Sequence, residues 1–514
     1  MVKKVEKEAK AKKAKVSKKE AKTKVAKEKS KATKVIKEKV VEETKPQIST
    51  DFLADYFLGA VDKVEKEEQL TTSVNDSYRL PTGLLAFDVL LDGGLNASWF
   101  QISGQEASFK SGCALNCAKT CYEAGVPVIY YFDAENAVKK KFMCSIFHTD
   151  TQEEVIGKRD EKGNWLIRPK IRYSIDNSLE KVFTTMKKTL LRLPDKMQDN
   201  ITGKWYYVFG KDKDSQKQMS EMGFTGTGDA KLHKITGKYW FEAPNDTLQA
   251  FFVVDSLPAL VPQEASEDED KVGQRIAYLA GPLSGFVPQV KGLLKRKHSA
   301  IFIVNQMRDK PMVMFGDPQS EPGGNAVKFF SEFRLRFVPI AVPTGWDRKK
   351  ESSNICQEKS VEGNGYDYYM FKKMRVVKTK TSAVGATSMC RVWVKDKDGN
   401  PRSYDPVFDT WQTLEDLHLV SGARKGARGF KINIKGMEDI SFDWEMFKYC
   451  ILIETEKSKA LWEKFKAKYK PEFTKPLKIR KHLMDLIAKG NLDKYSVKED
   501  AESSETEVNL EDDV

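Results

Sequence analysis

The segment ISGQEASFKSG, residues 102–112, decides the fold. It leaves a short apolar run, Trp99 to Ser103, and enters a stretch with helical spacing. Gly104, Lys110 and Ser111 fall at the spacing of a phosphate-binding loop, G-x-x-x-x-G-K-[ST]. In such a loop, successive backbone amides and the helix N-terminus surround phosphates, the lysine neutralises charge and the hydroxyl ligates magnesium. The loop spans Gly104, Gln105, Glu106, Ala107, Ser108, Phe109, Lys110, Ser111 and Gly112. Phe109 replaces the glycine before the lysine, and its Cβ is expected to hinder a positive φ. A chance G-x5-K-S in a lysine-rich chain is the rival reading.

Two downstream runs weaken that rival. YYFDAENAV, from Tyr130, puts Asp133 and Glu135 at the carboxyl end of the next predicted strand, where doubly wound sheets place ligands. FFVVDS, from Phe251, ends in Asp255 and Ser256, the form of a Walker B carboxylate that holds a magnesium water shell. Further strands are predicted at Ala300 to Val304 and Phe333 to Phe337, and the spacing of Leu179, Val182, Phe183, Met186 and Leu190 predicts a helix. Short apolar runs alternating with amphipathic helices imply a parallel sheet with crossover helices. Cys113, Cys117 and Cys121 repeat at i, i+4, i+8 and are read as a small-residue face packed on that sheet, not a metal stripe.

Residues 195–250 break the alternation. ITGKWYYVF from Ile201 and ITGKYWFEA from Ile235 suggest a β-hairpin-like insertion. Its aromatics could stack single-stranded bases, and strand packing explains them equally well. Residues 405–490 read as a small, basic α/β domain. Within it, residues 457–481 hold ten Lys or Arg with Trp462, Phe465, Tyr469 and Phe473 interleaved, either a solvated face or a DNA surface.

The ends are strongly charged. Residues 1–48 carry 18 Lys and 7 Glu, and residues 499–514 carry eight acids and no base. Both are expected to be disordered, the first also drawn to nucleic acid phosphates. Between the arm and the core, Thr50 to Val61 has the face of an amphipathic helix. No apolar run is long enough for a membrane span, and seven cysteines without a C-x-x-C pair argue against a disulfide or zinc framework. The domains expected are a lysine-rich arm (1–48), a helix and linker (49–79), the core (80–400), a basic domain (401–495) and an acidic tail (496–514).

LPTGLLAFDVLLDGGL from Leu80, the loop, DAENA, VVDSLPALVPQ, IFIVNQMRDKPMVMFGDPQSEPGGNAVKFF and VVKTK occur in the order found in the RecA family of DNA recombinases, which the chain resembles over roughly 80–436. VMFGDP and GGNAVKF separate it from helicases with the same core. The aromatic before the loop lysine is similar to the UvsX branch of bacteriophage recombinases. The resemblance implies an α/β fold: a RecA-like P-loop ATPase core, mostly parallel, with a small C-terminal α/β domain. It implies ATP and Mg2+ as cofactors, with Lys110, Ser111 and Asp255 binding them and Ser111 and Asp255 on the metal side. Glu135 becomes the general base, Gln306 the γ-phosphate sensor, and Lys378 and Lys380 residues that reach a neighbouring subunit's ATP.

Two DNA-binding loops are implied. The first, near Gln263 to Gly273, is strongly acidic here. The second, Met307 to Asn325, offers Arg308 and Lys310 for phosphates, Met314 and Phe315 as wedges, Gly316, Gly323 and Gly324 for mobility, and Asn325. The activity implied is that of an ATP-dependent homologous recombinase forming a helical filament on single-stranded DNA and pairing it with homologous duplex DNA. Single-strand-binding and mediator proteins are further candidate partners, no membrane is expected, and the compartment is a cytoplasm or viral replication site. The rivals are a hexameric RecA-fold helicase and an ATPase-deficient DNA-binding paralogue.

Overall fold

The computed structural model describes residues 78–488 other than 200, 264–274, 310–318, 362, 381–382, 400–402, 425–428, 435 and 470–473. The lysine arm, the Thr50–Val61 helix, most of the first DNA loop, the tip of the second and the acidic tail lie outside these residues.

The chain enters through a short helix, α1 (Leu85–Leu90), and the strand β1 (Trp99–Gly104), which runs into α2 (Lys110–Glu123). Then come β2 (Val128–Asp133), β3 (Arg172–Ser174) and α3 (Leu179–Arg192). The 195–250 segment contributes β4 (Asp195–Gln198), β5 (Trp205–Phe209), α4 (Lys213–Glu221), α5 (Ala230–Thr236) and β6 (Tyr239–Glu242). The core resumes with β7 (Ala250–Asp255), α6 (Arg275–Arg296), β8 (Ser299–Val304), α7 (Gly324–Phe330) and β9 (Phe333–Pro339), and β10 (Ile355–Lys359), β11 (Tyr366–Lys378) and β12 (Thr387–Lys395) extend it.

These strands make one nine-stranded sheet in the order β10-β11-β9-β1-β8-β7-β2-β3, with β12 also on β11. From β9 through β3 all pairings are parallel, whereas β11 is antiparallel to β9, β10 and β12. The mixed, mostly parallel sheet flanked by helices is the fold class expected.

The unbroken apolar runs follow from burial on both faces. Phe251 and Val253 join a core with Cys113, Cys117, Cys121 and the rest of α2, while Phe252 and Val254 face α3 and α6 in a second core. The three cysteines are buried in the first core and form no disulfide, as the small-residue reading of α2 expects. Helix α3 buries the five residues whose spacing predicted it, and Ser178 caps it by accepting from the Lys181 amide.

The insertion is more than a hairpin. The strands of its two similar segments pair antiparallel, Tyr207 opposite Phe241, and β4 adds a third strand. Tyr206, Val208 and Trp240 fill one face, and Phe209, Phe224 and Phe241 pack on each other. The two helices between β5 and β6 were not legible because they bury no residue and carry no apolar stripe.

After β12, α8 (Pro406–Asp416), three short strands, Val420–Gly422, Phe430–Ile432 and Ser441–Phe442, and helices α9 (Trp444–Glu456), α10 (Lys459–Tyr469) and α11 (Ile479–Ala488) enclose their own core. It is fastened to the entry of the chain. Leu85 and Val89 of α1 join this core, and the Asp409 carboxylate accepts from the Leu85 and Ala86 amides at 2.9 and 3.0 Å while pairing with Arg480 at 2.9 Å. Asp409 thereby caps a helix whose own N-cap, Leu84, supplies no side-chain bond. On α10, Phe465 is buried with Trp462 and Tyr469 packed against it, while Lys459, Lys464 and Lys468 are exposed. No helix among the described residues is long and apolar enough to cross a membrane.

Candidate nucleotide site

Strands β1, β2, β7 and β8 end side by side, and the turns beyond them converge. Gly104 ends β1 where a Cβ would stand 2.6 Å from the Phe337 carbonyl, so glycine is required by close approach. The loop then takes two left-handed residues, Ala107 at φ +55° and Phe109 at φ +78°. Phe109 adopts the conformation its Cβ was expected to hinder. That geometry costs a residue with a side chain about 1–2 kcal/mol. The Phe109 ring offsets it by packing on the α2-side core and across Gly112, where a Cβ would meet Phe109 Cε2 at 2.2 Å. The residue that breaks the motif therefore fills the space another glycine leaves.

Helix α2 starts at Lys110. Lys110 Nζ donates to the Gln105 carbonyl at 2.6 Å and to Ser108 Oγ at 3.3 Å. Burial pulls its pKa down, against the opposing pull of Asp255, Glu135 and Glu106. From β11, the buried Lys372 donates to the Ala107 carbonyl at 2.9 Å. The loop is thus held from two sides by lysines.

Asp255 ends β7, directly opposite Asp133 of β2 in register. Burial pushes its carboxyl up to about 6, with Glu135 and Asp133 adding to the rise and hydrogen bonds from Tyr131 and Ser111 opposing it. The Tyr131 hydroxyl donates to Asp255 Oδ2 at 2.6 Å. Asp133 accepts from the Ala137 and Val138 amides and from the Tyr173 hydroxyl, which fixes the turn that carries Glu135. Glu135 is exposed, and its Oε1 accepts from Gln306 Nε2 at 2.6 Å and from Ser256 Oγ. Gln306 follows β8, and its amide donates to Asn305 Oδ1 while Asn305 Nδ2 donates to the Pro322 carbonyl, at the base of the second loop.

Lys110, Ser111, Asp133, Glu135, Asp255 and Gln306 are therefore brought together. Lys378 and Lys380 belong elsewhere: Lys378 Nζ donates to the Lys328 and Phe329 carbonyls at 2.8 Å, closing the C-terminus of α7, and Lys380 is exposed. Arg308 is exposed and, with Asp309, pairs with Gln319 and Ser320 at the base of the second loop. Lys310, Met314, Phe315 and Gly316 lie outside the described residues. Gly323 and Gly324 open α7 at φ +100° and +71°, and a Cβ on them would meet Leu257 Cδ2 at 2.6 Å and Ala280 Cβ at 2.8 Å. Their need for glycine comes from close packing, not from the mobility expected. Asn325 is exposed beside them. Of the first loop, Gln263 is described, its amide donating to Glu180 Oε2 at 3.1 Å.

Sequence reasoning missed Tyr131, Tyr173, Lys372 and Glu321. Buried Glu321 accepts from Gln101 and Ser103 of β1 and pairs with Arg334 of β9 beneath the second loop. Tyr131 had a usable signal, since it is two residues before Asp133 and shares its face of the strand. Lys372 and Glu321 had none in their local sequence.

The donor set fits a magnesium nucleotide. A hydroxyl and a buried carboxylate, Ser111 and Asp255, meet beside a lysine at the start of a helix.

Residues 246–383 match the RecA N-terminal domain family. The chain is 43% identical to the RecA protein of Aquifex pyrophilus over 98 residues, 19% of this chain and 28% of that one. It is 32% identical to RecA of Mycoplasma mycoides subsp. mycoides SC over 130 residues, 25% and 32% of the two chains, and 40% identical to RecA of Borrelia hermsii over 93 residues, 18% and 26%. The alignments thus span a third or less of these relatives' length. The family match begins just before β7, so it takes in Asp255, Gln306 and the second loop, whereas the Gly104–Gly112 loop precedes it. With its sheet order and the convergence of β1, β2, β7 and β8 on one site, the core of this chain is similar to the RecA family, whose N-terminal domain residues 246–383 match.

Proposed function

We propose that the protein is an ATP-dependent homologous recombinase that assembles as a filament on single-stranded DNA, pairs it with a homologous duplex and exchanges strands. The observation that carries the reading is Glu135, held by Gln306 and Ser256 next to Lys110 and Asp255. With ATP bound, Lys110 would leave the Gln105 carbonyl for the β and γ phosphates, and Ser111 and Asp255 would hold magnesium and its waters. The metal would supply charge neutralisation on the phosphate oxygens. Glu135 would orient the attacking water and take its proton, a role suited to an exposed carboxylate beside the γ-phosphate.

Gln306 bonds Glu135 and lies next to Asn305, which bonds Pro322. A change in the Glu135 contact on nucleotide binding is therefore passed to both ends of the second loop, where Arg308 and the residues through Asn325 would hold DNA. Lys378 and Lys380 would complete a neighbouring subunit's site. Phe109 in the left-handed region answers one of the two grounds for an ATPase-deficient paralogue, and the acidic first loop remains the other. The test is joint-molecule formation between circular single-stranded DNA and homologous linear duplex: ATP-dependent joint molecules are expected, and their absence with ATP-driven duplex unwinding in their place would favour the helicase.

A further inference from the structure

Beneath the site lies a pair of tyrosines that the reading above does not use. Tyr131 of β2 and Tyr173 of β3 are opposite each other in register, with ring centroids 6.2 Å apart and planes at 17°. Each aims its hydroxyl at a different strand-end carboxylate, Tyr131 at Asp255 Oδ2 (2.6 Å) and Tyr173 at Asp133 Oδ2. Tyr131 is fully buried. A phenylalanine there would pack as well and would need no partner, so the hydroxyl itself calls for an explanation.

The two carboxylates have separate duties. Asp255 faces Ser111 and Lys110. Asp133 gathers the Ala137 and Val138 amides and so shapes the turn, with Asn136 at φ +50°, from which Glu135 projects. We propose that Tyr131 and Tyr173 are positioning residues for ATP hydrolysis, Tyr131 fixing the carboxylate on the metal side and Tyr173 fixing, through Asp133, the turn that carries the general base. This rests on the nucleotide-site reading above.

The two hydroxyls therefore have distinguishable effects. In the full-length protein, Tyr131→Phe keeps the ring and removes the donor to Asp255. The magnesium concentration that half-saturates binding of a fluorescent ADP analogue should rise on the order of ten-fold, the size expected for a lost bond to a charged group. Tyr173→Phe should leave that magnesium titration unchanged and lower kcat for DNA-stimulated ATP hydrolysis by a similar factor, with KM for ATP unchanged. A merely structural role would instead lower the melting temperature of both variants and leave both titration and kcat as in wild type, which overturns the proposal. Failure of the wild-type protein to bind the analogue with magnesium would overturn the nucleotide-site reading and this one with it; normal wild-type binding with unchanged variants overturns the tyrosine assignment alone.

Discussion

Phe109 and Gly112 form one unit: a left-handed residue with a ring, and a glycine that leaves the ring its place. Gly112→Ala should drive the ring out of the core and weaken nucleotide binding roughly ten-fold, about 1.4 kcal/mol and within the usual cost of overpacking. Phe109→Gly should restore much of the loss in the double variant, because it removes the atoms the new Cβ meets. Binding of a fluorescent nucleotide to the four proteins checks this, and equal losses in the single and double variants would separate the two residues. The sequence carried the positions of Lys110, Ser111, Glu135 and Asp255, since the loop and the strand ends are local patterns. It misjudged Phe109 because a pattern of residue types holds no information about where a ring goes. Lys372 was illegible for a related reason: it reaches Ala107 across the sheet from 265 positions away.

Among the elements, the inserted sheet shows how an apparently separate piece is tied down. His298, between α6 and β8, lies between Tyr78 and Trp205, with ring centroids at 4.6 and 4.1 Å, and its Nε2–H donates to the Asp246 carbonyl at 2.8 Å. Lys196 Nζ donates to the Thr247 carbonyl at 2.6 Å, and Lys297 pairs with Asp195 at 2.8 Å. Burial pushes the His298 imidazole down to about 3, with Lys196 adding to the drop. The unfolded chain takes up this proton near pH 6.5 and the folded chain does so only near 3, so between those values the unfolded state binds more protons and stability falls as pH falls. The slope from this group is about 1.4 kcal/mol per pH unit. From pH 7 to 5 the melting temperature of wild type should drop faster than that of His298→Gln; parallel curves would place the titration elsewhere. Five of the six parallel strands and α3 were legible because each is a continuous or periodic apolar pattern, whereas β3 has only three residues. Helices α4 and α5 were not, because they bury nothing.

At the scale of the whole molecule, charge is distributed as a protein with a polyanionic ligand would require. The chain has a formal charge of +13, with +11 in residues 1–48 and −8 in residues 499–514. On α10 the aromatic residues pack on the core, so the exposed lysines are what that surface would offer to DNA on the proposed reading. The acidic end should compete with duplex DNA for it, and the lysine arm should add phosphate contacts. Deleting 499–514 should tighten duplex binding, deleting 1–48 should weaken it, and both differences should shrink as salt rises, since the Debye length is about 8 Å at physiological ionic strength. Equal affinities at low salt for all three proteins would give the tails another role. The central claim is that Lys110, Glu135 and Asp255 form an ATPase site answering to single-stranded DNA. The most direct measurement is ATP turnover with and without single-stranded DNA for wild type, Lys110→Ala and Glu135→Gln, together with nucleotide-dependent DNA binding by each. The account predicts DNA-stimulated turnover in wild type, loss of turnover and of ATP-dependent DNA binding in Lys110→Ala, and loss of turnover with a long-lived DNA complex in Glu135→Gln; wild-type turnover by Glu135→Gln would contradict it.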